Sequence, residues 1–216
     1  DPAHVYVGGC GGGVWGRHDP GSIWTPLTND LESLASGALA IDPRNPQVIY
    51  YATGESSLFI SSYNGRAIFR STDGGLTWAH LGHEFVPRFS RVLVDPTNSQ
   101  ILWAAAYDNA VMRGVLRSTN GGATWSGLLS KTDITGLVMD PVRPDTLYAA
   151  VGSIWSTGDN GIYKTTNGGS SWTSLGAPAA LDRRRRPLDR PQLGPRHRAV
   201  LRARARSDPR GLLLRR

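Results

Sequence analysis

The sequence predicts an all-β fold built from one four-stranded unit used about four times, and three observations predict it. A nine-residue stretch returns: RSTDGGLTW at 70–78, RSTNGGATW at 117–125 and KTTNGGSSW at 164–172. A second motif travels with it, an apolar strand, an Asp-Pro turn and another apolar strand: LAIDPRNPQVIYYATG (39–54), VLVDPTNSQILWAAAYD (92–108) and LVMDPVRPDTLYAAVG (137–152). The closing tryptophans Trp78, Trp125 and Trp172 are spaced 47 residues apart. Four short strands in that span make one blade of a β-propeller. The composition agrees, with Gly 26 and Pro 14 beside Trp 7 and Tyr 7.

Each element follows from local chemistry. The opening DPAHVYVGG matches the repeat from its Asp-Pro turn onward, so the first blade is expected to be incomplete, starting at its second strand. Third strands follow as GVWG, AIFR, GVLR and GIYK, and a degenerate copy of the returning stretch, RHDPGSIW (17–24), has Pro20 where the others have glycine. In an Asp-Pro turn the carboxylate accepts bonds from the backbone amides ahead of it, while proline presets the turn dihedral. The Gly-Gly pair supplies the positive φ angles of a tight hairpin. Asp73 is matched by Asn120 and Asn167. An amide oxygen caps a turn as a carboxylate does but cannot shuttle protons, so these three read as structural turn residues. Trp78, Trp125 and Trp172 then read as the anchors of their hairpins.

The pattern Ser/Thr-X-Asp/Asn-Gly-Gly-X-Ser/Thr-Trp resembles the Asp-box, or BNR repeat, of β-propellers in sialidases, xyloglucan-cleaving endoglucanases, sortilin-type receptors and a photosystem assembly factor. The resemblance covers residues 1 to about 178 and implies a carbohydrate- or protein-binding module, or part of a glycoside hydrolase, in a secreted or periplasmic setting. Sialidase-like members carry an Arg-Ile-Pro motif that this chain lacks, its nearest approach being VPRF at 86–89. A first blade that begins at strand two, with no further unit after Trp172, is expected to belong to a larger propeller. Further blades or a partner would cover its open sheets.

Removing the repeat isolates the candidate functional residues. The Asp-Pro and Gly-Gly turns belong at one end of the blades, so ligand contacts are expected at the other end, in the loops joining strands two and three and in the links between blades. Trp155 is the tryptophan outside the repeat register, a platform on which a sugar ring or a partner could stack. Tyr63, Arg66, Tyr107 and Arg113 join it as ligand-binding candidates, with Asn64, Asn109 and Asn160 nearby. The link HLGHEFVPRFSR adds His83, Glu84, Arg88 and Arg91. A polysaccharide hydrolase works with two carboxylates, for which Glu55, Asp108, Asp133 and Asp159 are the candidates. By register, Tyr6, Tyr50, Trp103 and Tyr148 in second strands and Trp15, Phe69, Leu116 and Tyr163 in third strands read as core.

Several function classes fall away. No apolar run approaches the length of a membrane span. The spacing of His, Cys and carboxylates sets out no metal site, and no cofactor is expected. The run GGCGGG (8–13) follows a strand and precedes another, so it reads as a tight turn rather than a phosphate loop, with Cys10 as a small packed residue. The net charge of +7 hides an uneven distribution: residues 181–216 hold thirteen arginines against three aspartates, which leaves residues 1–180 at −3. The segment 179–216 is therefore expected to be a disordered tail or the product of a shifted reading frame. Its arginines lack interleaved aromatics, which argues against a nucleic-acid partner.

Overall fold

The computed structural model describes residues 4–19, 21–56, 62–81, 88–107, 113–153 and 158–176, all within one compact unit, Asp1–Pro178. The strands of these residues form four antiparallel sheets. Blade one has β1 (Val5–Gly9), β2 (Gly13–Arg17) and β3 (Thr25–Pro26). Blade two has β4 (Ser36–Asp42), β5 (Asn45–Thr53), β6 (Ile68–Ser71) and β7 (Ala79–His80). Blade three has β8 (Phe89–Asp95), β9 (Asn98–Ala106), β10 (Gly114–Ser118) and β11 (Ser126–Leu129). Blade four has β12 (Ile134–Met139), β13 (Leu147–Val151), β14 (Gly161–Thr165) and β15 (Thr173–Ser174). Each sheet runs in sequence order, and among the first strands β8 packs against both β4 and β12, which places them innermost.

Period-two alternation explains how the blades stack. In β5, Tyr51 faces blade one and packs with Phe69, Leu39 and Trp78 against Val14, Tyr6 and Leu27. Its neighbour Tyr50 points the other way, joining Ile68, Ala104, Leu116 and Trp125 between blades two and three. Trp103 repeats the switch one blade later, meeting Leu137, Ala149, Tyr163 and Trp172. Alternate residues of one strand thus feed two separate apolar layers.

Two expectations need correction. Trp15 is 39% exposed, not core, because among the described residues no sheet covers the face of blade one that it shares with Val7 and Trp24. Cys10 is likewise exposed, since the tight turn from Gly9 to Gly13 carries it clear of the sheet.

Both turn motifs behave as their chemistry requires. Asp42 Oδ1 accepts the Arg44 N–H at 2.9 Å, Asp95 Oδ1 the Thr97 N–H at 2.7 Å, and Asp140 Oδ1 the Val142 N–H at 2.9 Å. The Gly74, Gly121 and Gly168 amides donate to the carbonyls of Gln47, Gln100 and Asp145, which binds each Gly-Gly turn to the Asp-Pro hairpin of its own blade. The two motifs therefore share one end of the sheets. The loops from β5 to β6, β9 to β10 and β13 to β14 emerge at the opposite end.

Candidate functional site

The repeated geometry of the nine-residue turn is built from three polar side chains. Ser71 Oγ accepts the Gly75 N–H at 2.7 Å and donates to Asp73 Oδ1 at 2.7 Å, and Asp73 Oδ1 also accepts the Thr77 N–H at 2.9 Å. The hydroxyl of Thr77 donates to Asp73 Oδ2 at 2.5 Å. In blade three the amide replaces the carboxylate without loss: Asn120 Oδ1 accepts the Thr124 N–H at 2.9 Å while its Nδ2 donates to Thr124 Oγ1 at 2.8 Å. Asn167 repeats this with Ser171 in blade four. The threonine or serine hydroxyl simply changes from donor to acceptor. Hydrogen bonds from Thr77 to the carboxylate, before any other contribution, lower the Asp73 pKa from its ordinary 3.8 to about 2. Both carboxylate oxygens accept bonds from within the turn, as a turn cap requires.

At the opposite end, the strand-two termini carry the exposed chemistry. Glu55 binds the backbone of Tyr63 twice: its N–H donates to the Tyr63 carbonyl at 2.9 Å, and its carboxylate accepts the Tyr63 N–H at 3.4 Å. The Tyr63 ring is left 67% exposed. Buried Thr53 braces the same loop, its Oγ1 donating to the Ala67 carbonyl at 2.7 Å and accepting the Arg66 N–H at 2.8 Å. Arg66 is exposed. Arg88 Nε donates to Asn64 Oδ1 at 3.3 Å, linking the blade-two loop to the entry of blade three.

Blade four carries a charged link between its own entry and its own loop. Lys131, between β11 and β12, meets Asp159 in the β13–β14 loop at 2.5 Å and lies 5.7 Å above the Tyr163 ring. The Asp159 hydrogen bond is the chief reason its ammonium pKa is raised. Tyr163 Oη donates to the Asp159 carbonyl at 3.0 Å, and Asn160 clamps the backbone of Ser153 at both its N–H and its carbonyl, each at 2.8 Å. Arg113 is exposed and its Nε donates to Ser130 Oγ at 3.3 Å.

Asp133 sits at φ 56°, in the left-handed region that few side chains occupy. Its carbonyl accepts the Gly152 N–H, as Ala35 accepts from Gly54 and Arg88 from Tyr107. That equivalence puts Tyr107 in a repeat position after all, and the residue is 8% exposed. Trp155, Asp108, Asn109, His83 and Glu84 lie outside the described residues, as does the arginine-rich 179–216 segment.

The sequence reading missed Lys131 and Ser130. Nothing in their spacing marks Asp159 and Arg113 as partners, which the fold brings in from the adjacent loop. Among the described residues, no group of three His, Cys, Asp or Glu side chains could hold a metal ion, and no helix is long and apolar enough to cross a membrane. Among the described residues, the loop end offers guanidinium and amide donors, carboxylate acceptors and the exposed Tyr63 ring, a set suited to a hydroxyl-rich or peptide ligand.

Four antiparallel sheets of one repeated design, packed face to face around their first strands, define this segment as an arc of a β-propeller. No family model matches the chain. A curated xyloglucanase of Paenibacillus sp is 34% identical to it over 108 residues, which cover 44% of this chain and 10% of that protein. A second xyloglucanase, from Hypocrea jecorina (strain QM6a), is 32% identical over 109 residues, covering 44% of this chain and 13% of its own length. The crystal structure of the GH74 enzyme of Niastella koreensis superposes with a TM-score of 0.61 at 29% identity, over 81% of this chain and 28% of that one. The chain thus spans about a tenth of the length of the curated relatives it matches.

Proposed function

We propose that residues 1–178 are an Asp-box propeller segment that receives a xyloglucan-type polysaccharide at its loop end, as part of a glycoside hydrolase. The identity of 34% to a xyloglucanase over 108 residues carries the reading. The exposed Tyr63 ring supports it, because sugar rings stack on aromatic faces and present hydroxyls to neighbouring donors such as Arg66 and Asn64. Trp155 is the second proposed platform. Glu55, Asp108, Asp133 and Asp159 are the carboxylates from which a catalytic pair would be drawn. Such a pair needs a separation of about 5–5.5 Å for retention or about 6.5–9.5 Å for inversion. A secreted or periplasmic location accompanies a substrate of that kind.

Affinity electrophoresis of the full chain in gels cast with xyloglucan tests this, alongside Tyr63→Ala and Trp155→Ala. Retardation of the wild-type protein, weakened in both variants at unchanged melting temperature, is the expected result. An unretarded but cooperatively folded chain refutes it and turns the search to a protein ligand. Retardation without release of reducing sugar would leave a binding module in place of a hydrolase.

A further inference from the structure

An asparagine followed by glycine readily loses its side-chain amide, because glycine carries no side chain across the path from its nitrogen to the asparagine carbonyl. The sequence holds four such pairs: Asn64-Gly65, Asn120-Gly121, Asn160-Gly161 and Asn167-Gly168. Three of them are locked by hydrogen bonds. In the nine-residue turns of blades three and four, the Oδ1 atoms of Asn120 and Asn167 each accept a hydroxyl and a backbone N–H, and their Nδ2 atoms donate to Thr124 and Ser171. The glycine nitrogens that would attack them are engaged as well, donating to the Gln100 carbonyl at 2.9 Å and the Asp145 carbonyl at 3.0 Å. Asn160 holds Ser153 with both ends of its amide, and Gly161 begins β14, paired with Val151.

The fourth pair differs at each reacting atom. Asn64 is exposed and lies outside any strand. Among the described residues the Gly65 N–H donates to no acceptor and Asn64 Nδ2 has no partner. Asn64 Oδ1, by contrast, accepts the Arg88 Nε–H at 3.3 Å. A guanidinium placed there draws electron density from the side-chain carbonyl carbon and stabilises the oxyanion that forms when a nitrogen adds to it. Packing imposes the glycine: a Cβ at position 65 would lie 2.3 Å from the Thr53 carbonyl carbon and 2.4 Å from the Gly54 nitrogen. The fold thus requires glycine directly after an asparagine whose carbonyl is polarised by arginine.

We propose that Asn64 is a site of self-deamidation at the loop end, promoted by Arg88. The Gly65 nitrogen gives its proton to water and bonds to Asn64 Cγ; the Cγ–Nδ2 bond breaks, and the side-chain nitrogen takes a proton from water and leaves as ammonia. A cyclic succinimide remains. Water then adds to one of its two carbonyls and breaks that carbonyl's bond to nitrogen, which leaves either aspartate or isoaspartate, the latter with the backbone running through the former side chain. A neutral amide facing Arg88 becomes a carboxylate, which the guanidinium binds more strongly. Beside Tyr63 and Arg66, the loop exchanges a hydrogen-bond donor for an acceptor and gains a negative charge. This chemistry stands whether or not the loop end receives a polysaccharide.

Ageing the full chain at mildly alkaline pH, both native and unfolded in guanidinium chloride, tests the proposal. Proteolysis in acid followed by mass spectrometry reads amide loss in each Asn-Gly peptide, and enzymatic methylation of isoaspartate reports the second product. In the native chain Asn64 is expected to convert at least about tenfold faster than Asn120, Asn160 and Asn167, the factor set by one or two hydrogen bonds that those three must first break. In the unfolded chain the four rates should converge. Arg88→Ala should slow conversion at Asn64 several-fold in the native chain and leave the unfolded rate unchanged, while Asn64→Gln removes the product. Circular dichroism checks the fold of Arg88→Ala, and Arg88→Gln takes its place if the alanine variant misfolds. Four native rates that match, an Asn64 that outlasts the other three, or a folded Arg88 variant that deamidates as fast as the wild type overturns the proposal.

Discussion

Replacing Gly122 by alanine tests how closely Leu81 of blade two packs on the turn of blade three. At φ 95°, alanine bears backbone strain of about 1–2 kcal/mol. Its Cβ would also stand 2.6 Å from Leu81 Cδ1 and 3.3 Å from Leu102 Cδ1, both in a packed apolar layer. Overpacking of that kind costs about 1–3 kcal/mol. Together the two give about 2–5 kcal/mol, or a fall of about 4–20 °C in melting temperature for a domain of this size. The neighbouring Gly121→Ala is the control. Its φ is 67°, but its Cβ would meet the flexible end of Gln100 at 3.2 Å, so only the strain should register. Urea and thermal unfolding of both variants give the comparison. Leu81→Ala combined with Gly122→Ala should cost less than the sum of the single losses by about 0.5–3 kcal/mol, since the shortened side chain admits the new methyl. Equal losses for the two glycines, or strict additivity in the double variant, would rule out close packing of Leu81 on Gly122.

Other expectations follow from the same turns. Asp73→Asn should preserve the fold, because blades three and four already use the amide. The folded pKa of Asp73 lies at about 2, below its ordinary 3.8, so the stability it adds is present above 3.8 and lost as pH falls through about 2. A flatter melting profile of the variant across that interval is the predicted signature. Ser118→Ala removes the hydroxyl that accepts the Gly122 N–H at 2.9 Å in a buried turn and should destabilise by about 1–3 kcal/mol in chemical denaturation. Trp125→Ala opens the layer between blades two and three and should cost about 3–5 kcal/mol in the same assay. Lys131→Ala breaks a pair that is largely exposed, and its effect on unfolding should stay within about 0–1 kcal/mol.

The repeat made the scaffold legible because its motifs are local: an aspartate and a proline determine one turn, a hydroxyl and two glycines the other, and each tryptophan marks the strand that follows. Alternation then assigned side chains to faces but not to neighbours. Trp15 lies in the same register as buried Leu116, yet whether a sheet covers that face is a tertiary fact, so the expectation of burial failed there. Tyr107 failed in reverse. Its position matches Gly54 and Gly152, and a tyrosine among glycines looked irregular until the shared bonds to Arg88, Ala35 and Asp133 carbonyls showed the common slot. Lys131 and Asp159 are 28 residues apart and meet because adjacent loops converge, a contact that no spacing rule encodes.

The repeated turns build the blades, and under the proposed function the loops at the opposite end meet the ligand. The most direct test measures xyloglucan affinity and unfolding stability together for two sets of variants, Ser118→Ala and Trp125→Ala at the turn end, Tyr63→Ala and Arg66→Ala at the loop end. Turn variants are expected to lose stability while the folded fraction keeps its affinity, and loop variants to lose affinity at unchanged stability. Loop variants that bind as well as the wild type, with affinity lost instead on turn substitutions that leave the protein fully folded, would overturn that division.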